Sequence, residues 1–375
     1  MAKEKSYKGL LIRTIIAIIF VGLLLSTYFV RYEIENFLNA LFYPEISNDV
    51  TNSELKMHFI NVGNADAIAI ELPNGEHMLI DSGDRTNESR NALITYLNNN
   101  FFENGEERVF DYFILTHSDA DHVGGAARVF ETYEIEKCFR PNQYTEEEAT
   151  ELNILDKKNI ADTDIFESFV EALNKEVGCE VEFFDADSDM TFSNFDINFI
   201  APLGTTYSVE NNYSPIMILT YAGVKTMFTG DAEHDVEEEV LALYDDLVGE
   251  YARSVLDIDI LKVGHHGSDT SSTEEFIRAT TPKYAVICTD GEEYDHPSET
   301  VLNRLQNFGV NNIYRTDING NILIGVNADG TIAASLGVYT RGFKIEWYSL
   351  VILVGSVGLI IIFTVGTKRK KKKAK

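Results

Sequence analysis

The chain has 375 residues, 45% hydrophobic and 11% aromatic, which excludes a disordered polypeptide and allows one large domain or two modest ones. Its formal net charge of −29 is unevenly spread: five basic residues and one acid in 1–31, seven basic residues and no acid in 348–375. That leaves 19 basic and 59 acidic residues in 32–347, a net charge of −40, which argues against tight capture of long nucleic acid by overall charge.

After a short basic tail (1–9), residues 10–30 form an almost wholly apolar run, with Arg13 near its start. At about 1.5 Å per residue it spans a hydrocarbon core of about 30 Å. No small-x-small cleavage site follows it at Leu25-Ser26-Thr27-Tyr28, so it reads as an uncleaved anchor and not a signal peptide. A juxtamembrane segment, 31–54, leads into the main domain, 55–336. Residues 348–366 form a second apolar run, and the tail 367–375 carries lysines suited to anionic headgroups. The same lysines match a nucleic-acid patch, but their place beside a hydrophobic span favours lipid. Basic residues on the outer side of both runs predict two passes, with both termini cytoplasmic and the domain extracytoplasmic.

Within the domain, residues 55–60, 67–72 and 77–80 are expected strands, the last two joined by Pro73-Asn74-Gly75. A helix is expected over 87–98, a strand over 111–115, a helix over 123–132, a polar surface insertion over 143–165 and a helix over 166–175. The second half predicts strands over 195–200, 216–221, 224–228, 258–263, 284–288, 312–315 and 321–326. Helices are expected over 233–247 and from near Ser272 and Ser298, each with a Ser or Thr as N-cap. Strands alternating with helices in two halves imply an α/β sandwich, two sheets with helices outside. Cys138, Cys179 and Cys288 are too few and too widely spaced for a disulfide framework or thiolate site and are assigned to the core.

Chemistry concentrates in Thr116-His117-Ser118-Asp119-Ala120-Asp121-His122-Val123-Gly124-Gly125. Four potential metal ligands fall within six residues where a strand passes into a helix, and the glycines permit close backbone approach. Two further strand ends carry ligand types: Thr229-Gly230-Asp231 and Val263-Gly264-His265-His266-Gly267-Ser268. His296 also follows a strand, whereas His58 and His77 lie within strands and His234 in an acidic helix. Those three are read as structural histidines.

These segments resemble the metallo-β-lactamase superfamily, and more narrowly the hydrolase domain of the competence protein ComEC family. The resemblance rests on Asn61-Val62-Gly63-Asn64-Ala65-Asp66-Ala67, Leu79-Ile80-Asp81-Ser82-Gly83 and the His117–Gly125 string. It continues through Asn211 to Ser214, Thr229-Gly230-Asp231, Val263 to Ser268, Asp295-His296-Pro297-Ser298 and Tyr314-Arg315-Thr316-Asp317 with Gly320. It covers roughly 55–335 and implies an αββα sandwich, here flanked by two transmembrane helices. The implied metal ligands are His117, Asp119, Asp121, His122, Asp231 and His265, with His266 as the next candidate. Asp81 would hold the ligand loop, and His296 would face the substrate as acid or phosphate contact.

The chain departs from the family pattern in three places. Asn61 replaces a leading Asp and the Gln-Gly pair of that motif is gone. No histidine lies between His122 and Asp231. Two hydrophobic runs cannot form the multi-spanning channel of ComEC proteins, so DNA import is not expected.

The expected activity is hydrolysis of a phosphodiester, less so of a carbonyl ester, by metal-activated water, with Asp121 and His296 in the catalytic set. One or two divalent ions are implied, zinc or manganese, since three imidazoles and three carboxylates suit a harder ion as well. Membrane lipid is the expected partner of the two helices and basic tail; no stable protein partner is legible. The rival readings are a hydrolase of another surface ester, in a wall polymer or lipid, and a non-catalytic metal-stabilised binding domain. Basic side chains around the site would favour nucleic acid, and Lys262, Arg140 and Arg315 are the candidates.

Overall fold

The computed structural model describes residues 50, 52–102, 108–186, 188–245 and 255–337. The expected membrane runs, 10–30 and 348–366, and both basic tails lie outside these residues. Among the described residues, no helix is long and apolar enough to cross a membrane.

Two mixed sheets carry the domain. Its first half supplies β1 (Leu55–Phe59), β2 (Ile68–Glu71), β3 (His77–Ile80), β4 (Val109–Ile114), β5 (Glu134–Arg140) and β6 (Glu180–Phe183). The second half supplies β7 (Met190–Thr191), β8 (Phe195–Ala201), β9 (Ile216–Tyr221), β10 (Val224–Phe228), β11 (Ile260–Lys262), β12 (Tyr284–Ile287), β13 (Asn312–Arg315), β14 (Ile322–Val326) and β15 (Ile332–Leu336). One sheet runs β15-β14-β1-β2-β3-β4-β5-β6, the other β13-β12-β11-β10-β9-β8-β7. Each passes from antiparallel to parallel pairing: β3 to β6 are parallel in the first sheet, β10 to β13 in the second. Parallel neighbours bring their carboxyl ends to the same edge, where loops can assemble a site.

The inner faces of both sheets make one apolar core, including Met57, Phe59, Ile80, Phe139, Phe199, Met217 and Phe228. A second core lies under the helices covering the first sheet: α1 (Asn87–Tyr96), α3 (Ala126–Phe130), which follows the short α2 (Ala120–Val123), and α5 (Asp164–Leu173). α5 buries Phe166, Phe169, Val170 and Leu173, a spacing that places them on one face. α6 (His234–Asp245), α7 (Glu274–Thr280) and α8 (Glu299–Asn307) follow in the second half, and α9 (Thr316–Asn319) caps β13. Thr273 and Ser298 are the N-caps of α7 and α8, accepting from Phe276 and Val301 N–H.

Several elements differ from expectation. The helix expected over 123–132 is shortened to α3 and separated from α2 by Gly124 and Gly125, which lie against the turn after β3. A Cβ on Gly124 would meet the backbone of Arg85 and Ala120, and one on Gly125 the Ser82 carbonyl. The expected 143–165 insertion holds α4 (Glu146–Leu152), started by a capping box in which Thr145 and Glu148 bond each other's backbone N–H. Strands β5, β6, β7 and β15 were not expected; β5 hides its period because charged Glu134, Glu136 and Lys137 interleave with Ile135 and Cys138. Cys138 and Cys288 are buried as expected, but Cys179 is only half-buried, since it precedes the edge strand β6.

Candidate metal centre

Loops after β4, β10 and β11 converge at the shared edge. The first contributes Asp121 and His122 from α2, the second Asp231, the third His266. One donor atom of each lies within 4.8 Å of the others. His122 Nε2 is 3.2 Å from an Asp231 oxygen, and His266 Nε2 is 3.3 Å from Asp121 and 3.4 Å from Asp231. Ligands about 2.1 Å from a tetrahedral ion stand about 3.4 Å apart, so the donor set fits a divalent cation.

The hydrogen bonds fix how each imidazole is turned. Asp81, fully buried, accepts from His122 Nδ1 at 2.8 Å. Its two oxygens also accept from Thr116 N and Oγ1, both at 2.8 Å. Since the Thr116 hydroxyl proton goes to Asp81, its oxygen is left to accept from His117 Nδ1, 3.0 Å away. His266 Nδ1 donates to the Cys288 carbonyl at 2.8 Å. Each ring is thus held through Nδ1, and each Nε2 is buried without a hydrogen-bond partner among the described residues. For His122 and His266, a carboxylate or carbonyl behind Nδ1 with a bare Nε2 in front is the arrangement of metal-binding histidine, and for His117 a hydroxyl takes that place. His117 lies beside this cluster: its ring centroid is 4.2 Å from that of His122, and its Nε2 is 3.6 Å from Asp119, which is 43% exposed.

The electrostatics match a site built for positive charge. Burial opposes protonation of His266, yet Asp231 and Asp121 lift its pKa to about 10. Burial likewise opposes ionisation of Asp121 and Asp231, and the imidazoles outweigh it and hold both well below the usual carboxylate range.

The cluster contains His266, and His265, the first-ranked candidate, lies outside it. Both residues take left-handed backbone, φ 49° and 52°, in the turn after β11, and this turns His266 inward. His265 stays at the rim: its Nε2 is 3.9 Å from Asp231, and Nδ1 lies 3.1 Å from Thr270 Oγ1 and 3.4 Å from Glu233. His296 stands beyond it, ring centroids 5.5 Å apart, with a pKa lowered by burial and then by the neighbouring imidazoles.

The altered first motif keeps its turn, since the Asn61 side chain donates to Thr316 O and accepts from Gly63 N. Ser214, buried, accepts from Asp231 N at 3.1 Å and lies 3.2 Å from His117 Nδ1. Sequence reasoning missed Gln143, which accepts from Ser118 N and donates to Ser118 Oγ, clamping the ligand loop. Polar composition gave the 143–165 segment the look of a surface insertion. His58 and His77 pack in their strands, the former against Glu71 and Tyr96, the latter against Phe101 and Phe102, and His234 is exposed.

None of the three basic candidates is free. Lys262 is fully buried, 2.7 Å from Asp66. Arg140 is buried against Glu148 and the ring of Phe183. Arg315 makes a two-pronged bond to Asp317.

Comparison with known proteins finds relatives among competence proteins. The chain is 26% identical over 296 residues to ComE operon protein 3 of Bacillus subtilis, covering 75% of this chain and 33% of that one. It is 32% identical over 155 residues to competence protein ComA of Neisseria gonorrhoeae, covering 41% and 21%. It therefore spans about a third or less of the curated relatives it matches. Among solved structures, the metallo-beta-lactamase fold protein YhfI of Bacillus subtilis aligns with TM-score 0.40 at 10% identity, covering 75% of this chain and all of that one. The Metallo-beta-lactamase superfamily matches residues 60–292, more than half of the sequence and the whole four-residue cluster, and the chain belongs to that superfamily, with its metal-dependent hydrolase fold.

Proposed function

We propose that this chain is a membrane-anchored, extracytoplasmic hydrolase that cleaves phosphodiesters. One observation carries the reading: three buried imidazoles, each held through Nδ1, present unpartnered Nε2 atoms beside buried and half-buried carboxylates. Such donors are costly to bury unless a cation satisfies them. Asp121, His122, Asp231 and His266 would hold one ion. His117 and Asp119, with the unpartnered second oxygen of Asp231, would hold another. Bound there, the metal supplies Lewis acidity and a water of lowered pKa. Three imidazoles with three carboxylates suit manganese as well as zinc.

His296, kept neutral by burial and the neighbouring imidazoles, would face the leaving group and offer its ring N–H as a hydrogen-bond donor there. With Lys262, Arg140 and Arg315 engaged internally, the substrate is a phosphodiester recognised at the centre itself rather than a long polyanion gripped by a basic groove. The apolar runs 10–30 and 348–366, each with its lysines on the outer side, support the two-pass anchor and lipid contact.

The test is hydrolysis of bis(p-nitrophenyl) phosphate by the full chain in mild detergent, metal-stripped and then supplied with zinc or manganese. We expect metal-dependent turnover that falls at least about 100-fold in Asp121→Ala. Metal bound without turnover would overturn the phosphodiesterase reading.

A further inference from the structure

Behind the ligand cluster lies an ion pair that the expected chemistry does not use. Lys262 Nζ and an Asp66 oxygen are 2.7 Å apart, with side chains 0% and 2% exposed. Taking two charges out of water carries a desolvation cost that their attraction has to offset, so such a pair is a poor way to gain stability alone. Its placement is informative. Asp66 belongs to the β1–β2 loop of the first sheet, and Lys262 is the last residue of β11 in the second.

The ligands divide the same way. Asp121 and His122 follow β4 of the first sheet, while Asp231 and His266 follow β10 and β11 of the second. Asp66 is coupled to both sets. Its N–H donates to the Asp121 carbonyl at 3.2 Å, and its carbonyl accepts from Gly83 N, two residues past Asp81. Its second oxygen, buried and without a hydrogen-bond partner among the described residues, lies 3.5 Å from His266 Nδ1. Asp66, Asp81 and His122 also bring one donor atom each within 4.8 Å of one another. Lys262 stands four residues before His266, and its Nζ also donates to the Val263 carbonyl at 2.9 Å.

We propose that the Asp66–Lys262 pair is a clasp between the two sheets that sets the spacing between the two halves of the ligand set. Both residues are positioning residues, and the inference rests on the metal-site reading above. A charged hydrogen bond is short and directional, whereas an apolar contact of equal volume has no preferred direction. The clasp therefore tunes metal affinity beyond its effect on folding.

The test compares Mn(II) affinity, by calorimetric titration of the full chain, with the melting temperature of the metal-free protein. The variants are Lys262→Met, Asp66→Asn and the double variant Asp66→Leu/Lys262→Met. Each single variant leaves a buried charge without its counter-ion and melts lower. The double variant removes both charges at nearly constant shape, so its metal-free melting temperature returns to the wild-type value or above. Its Mn(II) dissociation constant is expected to stay at least about 10-fold weaker, the size of effect seen when groups behind metal ligands are removed. Wild-type affinity in the double variant would show that the pair only fills space and would overturn the clasp. A double variant that fails to fold would overturn it too, by making the pair a requirement of folding. Absence of Mn(II) binding by the wild-type chain would overturn the metal site and the clasp together.

Discussion

His265 and His266 are chemically identical and adjacent, yet one faces the carboxylates and the other the rim. The Val-Gly-His-His-Gly-Ser string made the pair legible as a ligand station, but it could not say which imidazole enters. That choice is made by two consecutive left-handed residues, a conformation that residue types announce only when Gly or Asn is used. The anchor is also invisible in sequence, because His266 is held by the backbone carbonyl of Cys288, 22 positions away. By contrast, Asp81 was legible as the residue holding the ligand loop, and its carboxylate bonds Thr116 and His122. The two histidines separate cleanly in a metal titration. His266→Ala is expected to weaken Mn(II) or Zn(II) binding at least about 100-fold, whereas His265→Ala changes it less than about 3-fold. Equal losses in both variants would place His265 in the cage.

The elements show what pattern alone can and cannot reach. Strands β9 and β10 appear at their expected limits, because continuous apolar runs bounded by a turn leave little choice of ends. Strands β6 and β15 have mostly exposed or half-exposed side chains and so carry no strong period. The split between α2 and α3 was not read either, although its cause is in the sequence. Gly124 and Gly125 read in the sequence as positions of close backbone approach, and the structure uses them so, seating the ligand loop against the turn after β3. Gly125→Ala would drive a methyl into the Ser82 carbonyl. Ser82 cannot yield freely, since its N–H and hydroxyl both donate to the His122 carbonyl. The substitution is expected to cost about 1–3 kcal/mol, typical of overpacking, and to lower metal affinity by displacing His122. Thermal melts with and without metal check this; an unchanged melting temperature would show that the turn relaxes at no cost.

For the whole molecule, the sandwich was legible because its two halves repeat one plan and place their ligands at parallel strand ends. How the acidic domain tolerates pH was not, since that depends on pairs formed across strands. Glu71 shows the point. Burial would raise its pKa, but hydrogen bonds from His58 and Lys56 outweigh burial and hold it at about 2, against an ordinary 4.5. The carboxylate accepts from Lys56 Nζ at 2.7 Å and from His58 Nε2 at 3.1 Å, while His58 Nδ1 faces the Tyr96 hydroxyl at 3.0 Å. A folded-state pKa below the unfolded one means stability present above 4.5 and lost as pH falls from there to about 2. Discounted for partial exposure, the contribution is about 1–2 kcal/mol. His58 acts in the same direction: burial lowers its pKa despite Glu71, so the unfolded chain gains a proton first as pH falls through 6.5. Protonating the other carboxylates also relieves the repulsion of a −40 domain, which opposes both losses. Comparison with Glu71→Gln removes that shared term. Between about pH 5 and about pH 3, the wild-type melting temperature should fall more steeply than that of the variant, because only the wild type has this carboxylate to protonate. Parallel slopes would mean that Glu71 is as acidic in the unfolded chain as in the folded one, and that acid tolerance is set elsewhere in the domain.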